Sequence, residues 1–147
     1  MTAATDLPEP DDFTRAYWDA AAEGRLLLRR CAACGEAHHY PREFCPGCWS
    51  EDVSWEQASG RATLYTWSEV RVNDLPPFRD RLPYLAAVVD LEEGPRMMTV
   101  LVGCEAEQLR IGMPLRVTFP IVDNVRAGES NPDNPTAVVP VFQPCDR

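Results

Sequence analysis

The sequence predicts a mainly β protein built from an N-terminal helix, a four-cysteine ribbon and a small, closed, five-stranded barrel. Three observations predict it. Two Cys-x-x-Cys knuckles, Cys31/Cys34 and Cys45/Cys48, stand ten residues apart. From Arg61 onward, five apolar segments of strand length follow one another, separated by turn signals. Only one segment, near the N-terminus, repeats its apolar residues at helical spacing, and a proline count of 14 disfavours a helical bundle.

Taken in order, residues 1–12 are rich in Pro and Asp and read as a flexible N-terminus. Residues 13–30 form a helical arm and a lead-in strand. In FTRAYWDAAAEG, Phe13, Tyr17 and Ala20/Ala21 share one face, Asp11 or Asp12 supplies the N-cap, and Gly24 sits where a helix stops. A helix this short is not stable alone, so its aromatic face must pack on something, either the ribbon or a partner. LLLRR, residues 26–30, is a short strand leading into the first knuckle. Residues 31–60 are the metal ribbon and 61–147 the barrel. The barrel strands are ATLYTWSEVRV, PYLAAVVDLEE, RMMTVLVGCE, LRVTFPIV and AVVPVF. In the fourth, Leu115, Val117, Phe119 and Ile121 alternate at period two. A turn-rich stretch from Asp123 to Thr136 precedes the fifth. The commonest closed barrel of five short strands is the OB-fold.

The chain of 147 residues carries a formal charge of −9, and all 14 of its basic residues are arginine. That charge argues against a general nucleic-acid or anionic-membrane binder. The missing lysine excludes a Schiff-base or P-loop lysine. No apolar run is long enough to span a bilayer. MTAATDLPEP lacks the basic and apolar regions of a secretory signal, so a cytoplasmic chain is expected. In that compartment six cysteines read as ligands or free thiols before disulfides.

The knuckles carry the chemistry. A two-residue gap lets both sulfurs of a knuckle reach one ion, and two knuckles complete a tetrahedral shell with no open position. Cys31, Cys34, Cys45 and Cys48 are therefore expected to hold a structural metal. Zinc is favoured, with a rubredoxin-type iron the alternative. His38 and His39, between the knuckles, read as loop or partner-facing side chains. Cys104 reads as a small core residue, because the only two histidines lie in the metal loop, away from any place to serve it as a base. Period two places Tyr65, Trp67, Glu69 and Arg71 on one strand face. On an OB barrel, such aromatics with an arginine stack bases, so single-stranded nucleic-acid binding is the alternative function. Arg71, Arg79 and Arg81 flank the loop VNDLPPFRDRLPY. They read either as a clamp for phosphate or carboxylate, or as surface pairs with Glu69, Asp74 and Asp80.

EGRLLLRRCAACGEAHHYPREFCPGC, with Pro41-Arg42 before the second knuckle, and PYLAAVVDLEEGPRMMTVLVGCEAEQLRIGMPLRVTF resemble the family of zinc-ribbon plus OB-fold proteins called domain of unknown function 35. The resemblance runs from about Phe13 to Phe142. It implies a rubredoxin-like zinc ribbon whose ligands match Cys31, Cys34, Cys45 and Cys48. It further implies a non-catalytic, acyl-CoA-associated accessory subunit. Such a subunit docks on a thiolase-superfamily partner (a thiolase, a synthase or a steroid side-chain aldolase) in a hetero-oligomer, with acyl-CoA as a shared ligand of the complex. In that setting Arg71, Arg79 and Arg81 are candidate contacts to CoA phosphate or to the partner.

Overall fold

The computed structural model describes residues 8–75, 78–123 and 136–145. Most of residues 1–12 and of the Asp123–Thr136 stretch lies outside them.

Helix α1, Arg15–Ala22, is entered through a turn organised by Asp11. The Asp11 carboxylate accepts the Thr14 backbone N–H at 2.6 Å and its hydroxyl at 2.9 Å, while the Asp11 N–H donates back to the Thr14 hydroxyl at 3.1 Å. This reciprocal pairing satisfies donors that a helix start leaves free, which is the role expected of Asp11. At the other end Gly24 has φ +80°. Its N–H donates to the Ala21 carbonyl and that of Arg25 to the Ala20 carbonyl, the bond pair of a Schellman stop.

The ribbon sheet has the order β2–β1–β3, with β1 Leu27–Cys31, β2 Ala37–His38 and β3 Val53–Gln57, all antiparallel. The helix docks on it internally. Tyr17, Ala20 and Ala21 are buried, Trp18 packs on the core, and Phe13 lies 5.8 Å from the Trp55 ring. Arg29 of β1 is buried, its guanidinium 4.6 Å from the Trp55 ring and 5.1 Å from that of Phe13, donating to the Val53 carbonyl at 3.1 Å. Cation–π contact and one carbonyl together offset the desolvation of this charge. Of the two surfaces expected for the aromatic face, the ribbon is the one used.

The barrel closes in the order β10–β6–β5–β4–β7: β4 Arg61–Val70, β5 Tyr84–Leu91, β6 Arg96–Leu101, β7 Pro114–Thr118 and β10 Val141–Pro144. The expected count of five holds, but two expected strands are cut. LRVTFPIV ends its barrel pairing at Thr118, and Ile121 belongs to β8, Ile121–Asp123. AVVPVF is split into β9, Thr136–Val138, and β10. The breaks coincide with Pro120 and Pro140, which lack the N–H that a ladder needs. β8 and β9 pair with each other outside the barrel. Ile121 accordingly stands exposed, while Leu115 is fully buried.

β5 alternates as its sequence requires, with Leu85, Ala87, Val89 and Leu91 inward. In β4 the register against β5 slips between Leu64 and Thr66, a bulge at Tyr65. Ala62 and Leu64 point in before it, and Trp67 packs on the core after it. Tyr65 is left outside, with the Arg96 guanidinium 3.5 Å from its ring centre. The expected common face of Tyr65 and Trp67 is thus lost, because one inserted residue reverses the alternation.

Helix, ribbon and barrel share one continuous core that runs from Tyr17 and Leu28 to Leu64, Leu115 and Phe142. The joint between ribbon and barrel is Gly60. Its φ is +83°, its carbonyl accepts the Val117 N–H at 2.8 Å, and a Cβ there would stand 2.8 Å from the Val117 side chain. Gly60→Ala adds left-handed strain to a steric clash, so urea denaturation is expected to show a loss of about 2 kcal/mol or more.

Candidate metal centre and barrel cleft

The two knuckles have the same backbone construction. The Cys31 N–H donates to the Glu36 carbonyl and the Gly35 N–H to the Cys31 carbonyl; the Cys45 N–H donates to the Ser50 carbonyl and the Trp49 N–H to the Cys45 carbonyl. Each chain path thereby folds back over its sulfurs. The turn requires a left-handed residue after the second cysteine of each knuckle. Gly35 serves in the first, with φ +78°, and Trp49 in the second, with φ +66°. The Trp49 conformation costs about 1–2 kcal/mol that a glycine avoids.

The sulfurs of Cys31, Cys34, Cys45 and Cys48 all lie within 4.8 Å of one another. Cys31 and Cys48 are 3.6 Å apart, as are Cys34 and Cys45. Disulfides are far shorter, at about 2.05 Å, whereas the edge of a tetrahedron with zinc–sulfur bonds of about 2.3 Å measures about 3.8 Å. The spacing therefore fits four thiolates around one ion. Cys31 and Cys45 are buried; Cys34 and Cys48 face outward. The Gly47 N–H donates to the Cys45 sulfur at 3.3 Å. The Cys34 N–H holds the Cys31 thiol down at about 7, whereas at Cys34 the Glu36 N–H is outweighed by burial and the neighbouring thiols, which push it up to about 12.

The histidines take no part in this cluster. His39 is buried behind the ribbon, its Nε2 3.1 Å from the Tyr17 hydroxyl, and burial pushes its pKa down to about 4. His38 is half-buried, and burial lowers its pKa as well. The reading of His39 as a loop or partner-facing side chain is therefore corrected: it joins helix to ribbon. The missed signal was Tyr17, whose hydroxyl needs a partner once its ring is buried.

Of the three loop arginines, Arg71 pairs with Glu69 at 2.5 Å and Arg79 lies 3.9 Å from Asp80. Both pairs are exposed on the arginine side and contribute little to stability. Among the described residues no carboxylate pairs with Arg81. Arg81 instead borders a cleft of about 400 Å³ between the start of β5 and the segment after β6, lined also by Glu69, Tyr84, Val102, Cys104 and Glu105. Cys104 is half-buried against the core and burial raises its thiol pKa, opposite to what a nucleophile needs.

A helix-braced, four-thiol ribbon joined to a five-stranded barrel defines a class: zinc ribbon plus OB-fold. Family models agree along the chain. Residues 18–54 match the ChsH2 rubredoxin-like zinc ribbon domain, and residues 55–120 match the ChsH2 C-terminal OB-fold domain. The chain is 36% identical over 95 residues to a DUF35 domain-containing scaffold protein of Methanocaldococcus jannaschii, covering 64% of this chain and 67% of that one. Over 130 residues it is 35% identical to a probable enoyl-CoA hydratase alpha subunit of Thermomonospora curvata, covering 88% of this chain but only 37% of that longer protein. Among solved structures it resembles a chain of the Ltp2-ChsH2(DUF35) aldolase, with TM-score 0.73 and 32% identity, covering 94% of this chain and 98% of that one. The protein belongs to the DUF35 family of ChsH2-type zinc-ribbon and OB-fold proteins.

Two outcomes follow. Cys45→Ser leaves three thiolates and an open shell, so the protein is expected to lose stoichiometric zinc and the fold of its ribbon. Elemental analysis and near-UV circular dichroism measure both. His39 generates a pH dependence. The unfolded imidazole titrates near 6.5 and the folded one near 4, so between those values the unfolded state binds the extra proton. Stability is full above about pH 6.5 and falls toward pH 4, by about 3 kcal/mol in all. Urea titrations of wild type and His39→Gln over that window are expected to diverge as pH drops, the variant showing the shallower loss.

Proposed function

We propose that this chain is a non-catalytic subunit of an acyl-CoA enzyme complex, docking on and supporting a thiolase-superfamily partner that carries the catalysis. The observation that carries this reading is the likeness to the DUF35 chain of an aldolase, which spans both domains at 32% identity. The scaffold name of the archaeal relative and the subunit name of the hydratase relative support it.

In this reading Cys31, Cys34, Cys45 and Cys48 hold one structural zinc. The ion supplies folding free energy to a ribbon with little apolar core of its own, and its closed shell leaves no position for substrate. The barrel cleft faces the acyl-CoA shared with the partner. Arg81, which has no carboxylate partner among the described residues, contacts a CoA phosphate, whereas Arg71 and Arg79 have Glu69 and Asp80 beside them. The complex is a cytoplasmic hetero-oligomer, in keeping with the six cysteines forming no disulfide and with the absence, among the described residues, of a helix long and apolar enough to cross a membrane. Single-stranded nucleic-acid binding is disfavoured because Tyr65 and Trp67 diverge across the bulge.

Co-expression with a thiolase homologue from the same organism is the test. The two are expected to co-purify, the isolated chain to turn over no thioester, and the complex to do so. Arg81→Ala is expected to raise the complex's KM for acyl-CoA about tenfold. A chain that neither co-purifies with that enzyme nor alters its activity overturns the reading; unchanged kinetics in Arg81→Ala remove the phosphate contact alone.

A further inference from the structure

The left-handed turn residue is glycine in one knuckle and tryptophan in the other. Glycine adopts this conformation freely and a bulky residue does not. The Trp49 indole does not compensate by filling the core, since it is 73% exposed. It stacks on Phe44, with ring centres 5.3 Å apart and planes at 12°, and Phe44 is itself exposed. The two rings form a flat apolar platform on the outer side of the ribbon.

The rim of this platform is acidic. Glu43 adjoins Phe44, Glu51 and Asp52 follow Trp49, and the Glu36 carboxylate lies against Gly47 within the second knuckle. All four acids are exposed, and Arg42 is the one arginine between Cys31 and Asp52. An aromatic face within a negative field suits a guanidinium or ammonium group laid over the indole.

We propose that the Phe44–Trp49 platform is the docking surface through which this chain engages its enzyme, receiving a basic face of that enzyme with an Arg or Lys side chain over Trp49. This rests on the subunit reading above, and it adds which surface makes the contact and what chemistry the partner presents. A second copy of this chain is the poorer occupant, because it would bring one acidic rim against another.

Trp49→Gly copies the first knuckle and relieves the backbone. The purified variant is expected to keep its zinc and its Tm within a few degrees, yet to bind the co-expressed thiolase homologue about tenfold or more weakly by calorimetry. A second variant, Glu43→Gln with Glu51→Gln, leaves both rings in place; it is expected to weaken binding and to flatten its dependence on NaCl. Wild-type affinity in Trp49→Gly, or an unaltered salt dependence in the double variant, overturns the inference while leaving the complex intact. So does self-association of the isolated chain that Trp49→Gly abolishes. Failure of the wild-type chain to bind the enzyme at all overturns the subunit reading, and the docking surface with it.

Discussion

The convergence of four sulfurs is the constraint on which the rest of the ribbon depends. β2 is only two residues long, and the loop from Tyr40 to Glu51 contains no strand. Backbone pairing alone cannot hold such a segment, and its fully buried side chain, Cys45, lies within 4.8 Å of the Cys31 sulfur at the end of β1. Once the two knuckles are tied together, β1 has fixed neighbours on both sides. Helix α1 can then close over Leu26, Leu28 and His39, and the core continues into the barrel. Ribbon pairing and helix docking thus meet at this one cluster of sulfurs, while the barrel closes by its own ladders.

The parts legible in the sequence were those with a strict spacing. The knuckles announced their own geometry, Asp11 and Gly24 marked the ends of the helical segment, and Leu85 to Leu91 alternated as a strand must. What escaped was set by single residues acting against a pattern. The bulge at Tyr65 needs knowledge of what pairs with β4, which β4 itself does not contain. Pro120 and Pro140 carry a breaking signal, yet the alternation around them reads as continuous. Strand β3 went unread because its five residues are short and only partly buried. The burial of His39 and Arg29 is tertiary: each is covered by aromatics, Tyr17 for one and Phe13 with Trp55 for the other, brought from distant positions.

The arginines show how composition becomes function only through geometry. Three of them flank one loop, but two have carboxylate neighbours on this chain, and one borders the cleft. Arg29 is enclosed and structural, and Arg96 is fixed between Asp90 and the Tyr65 ring. A planar guanidinium suits Arg29 and Arg96 in particular, because it donates from its edge while an aromatic ring covers its face.

The prolines that cut the fourth and fifth expected strands have one more consequence. β7 and β10 leave the barrel as neighbours, and Pro120 and Pro140 stand where their shared ladder stops. Each removes an amide donor from what would be a long exposed margin of sheet. Such margins template cross-molecular strand addition, and blunting them guards a β-rich chain against aggregation. The small barrel thus carries, at its exit, a built-in deterrent to stacking upon itself.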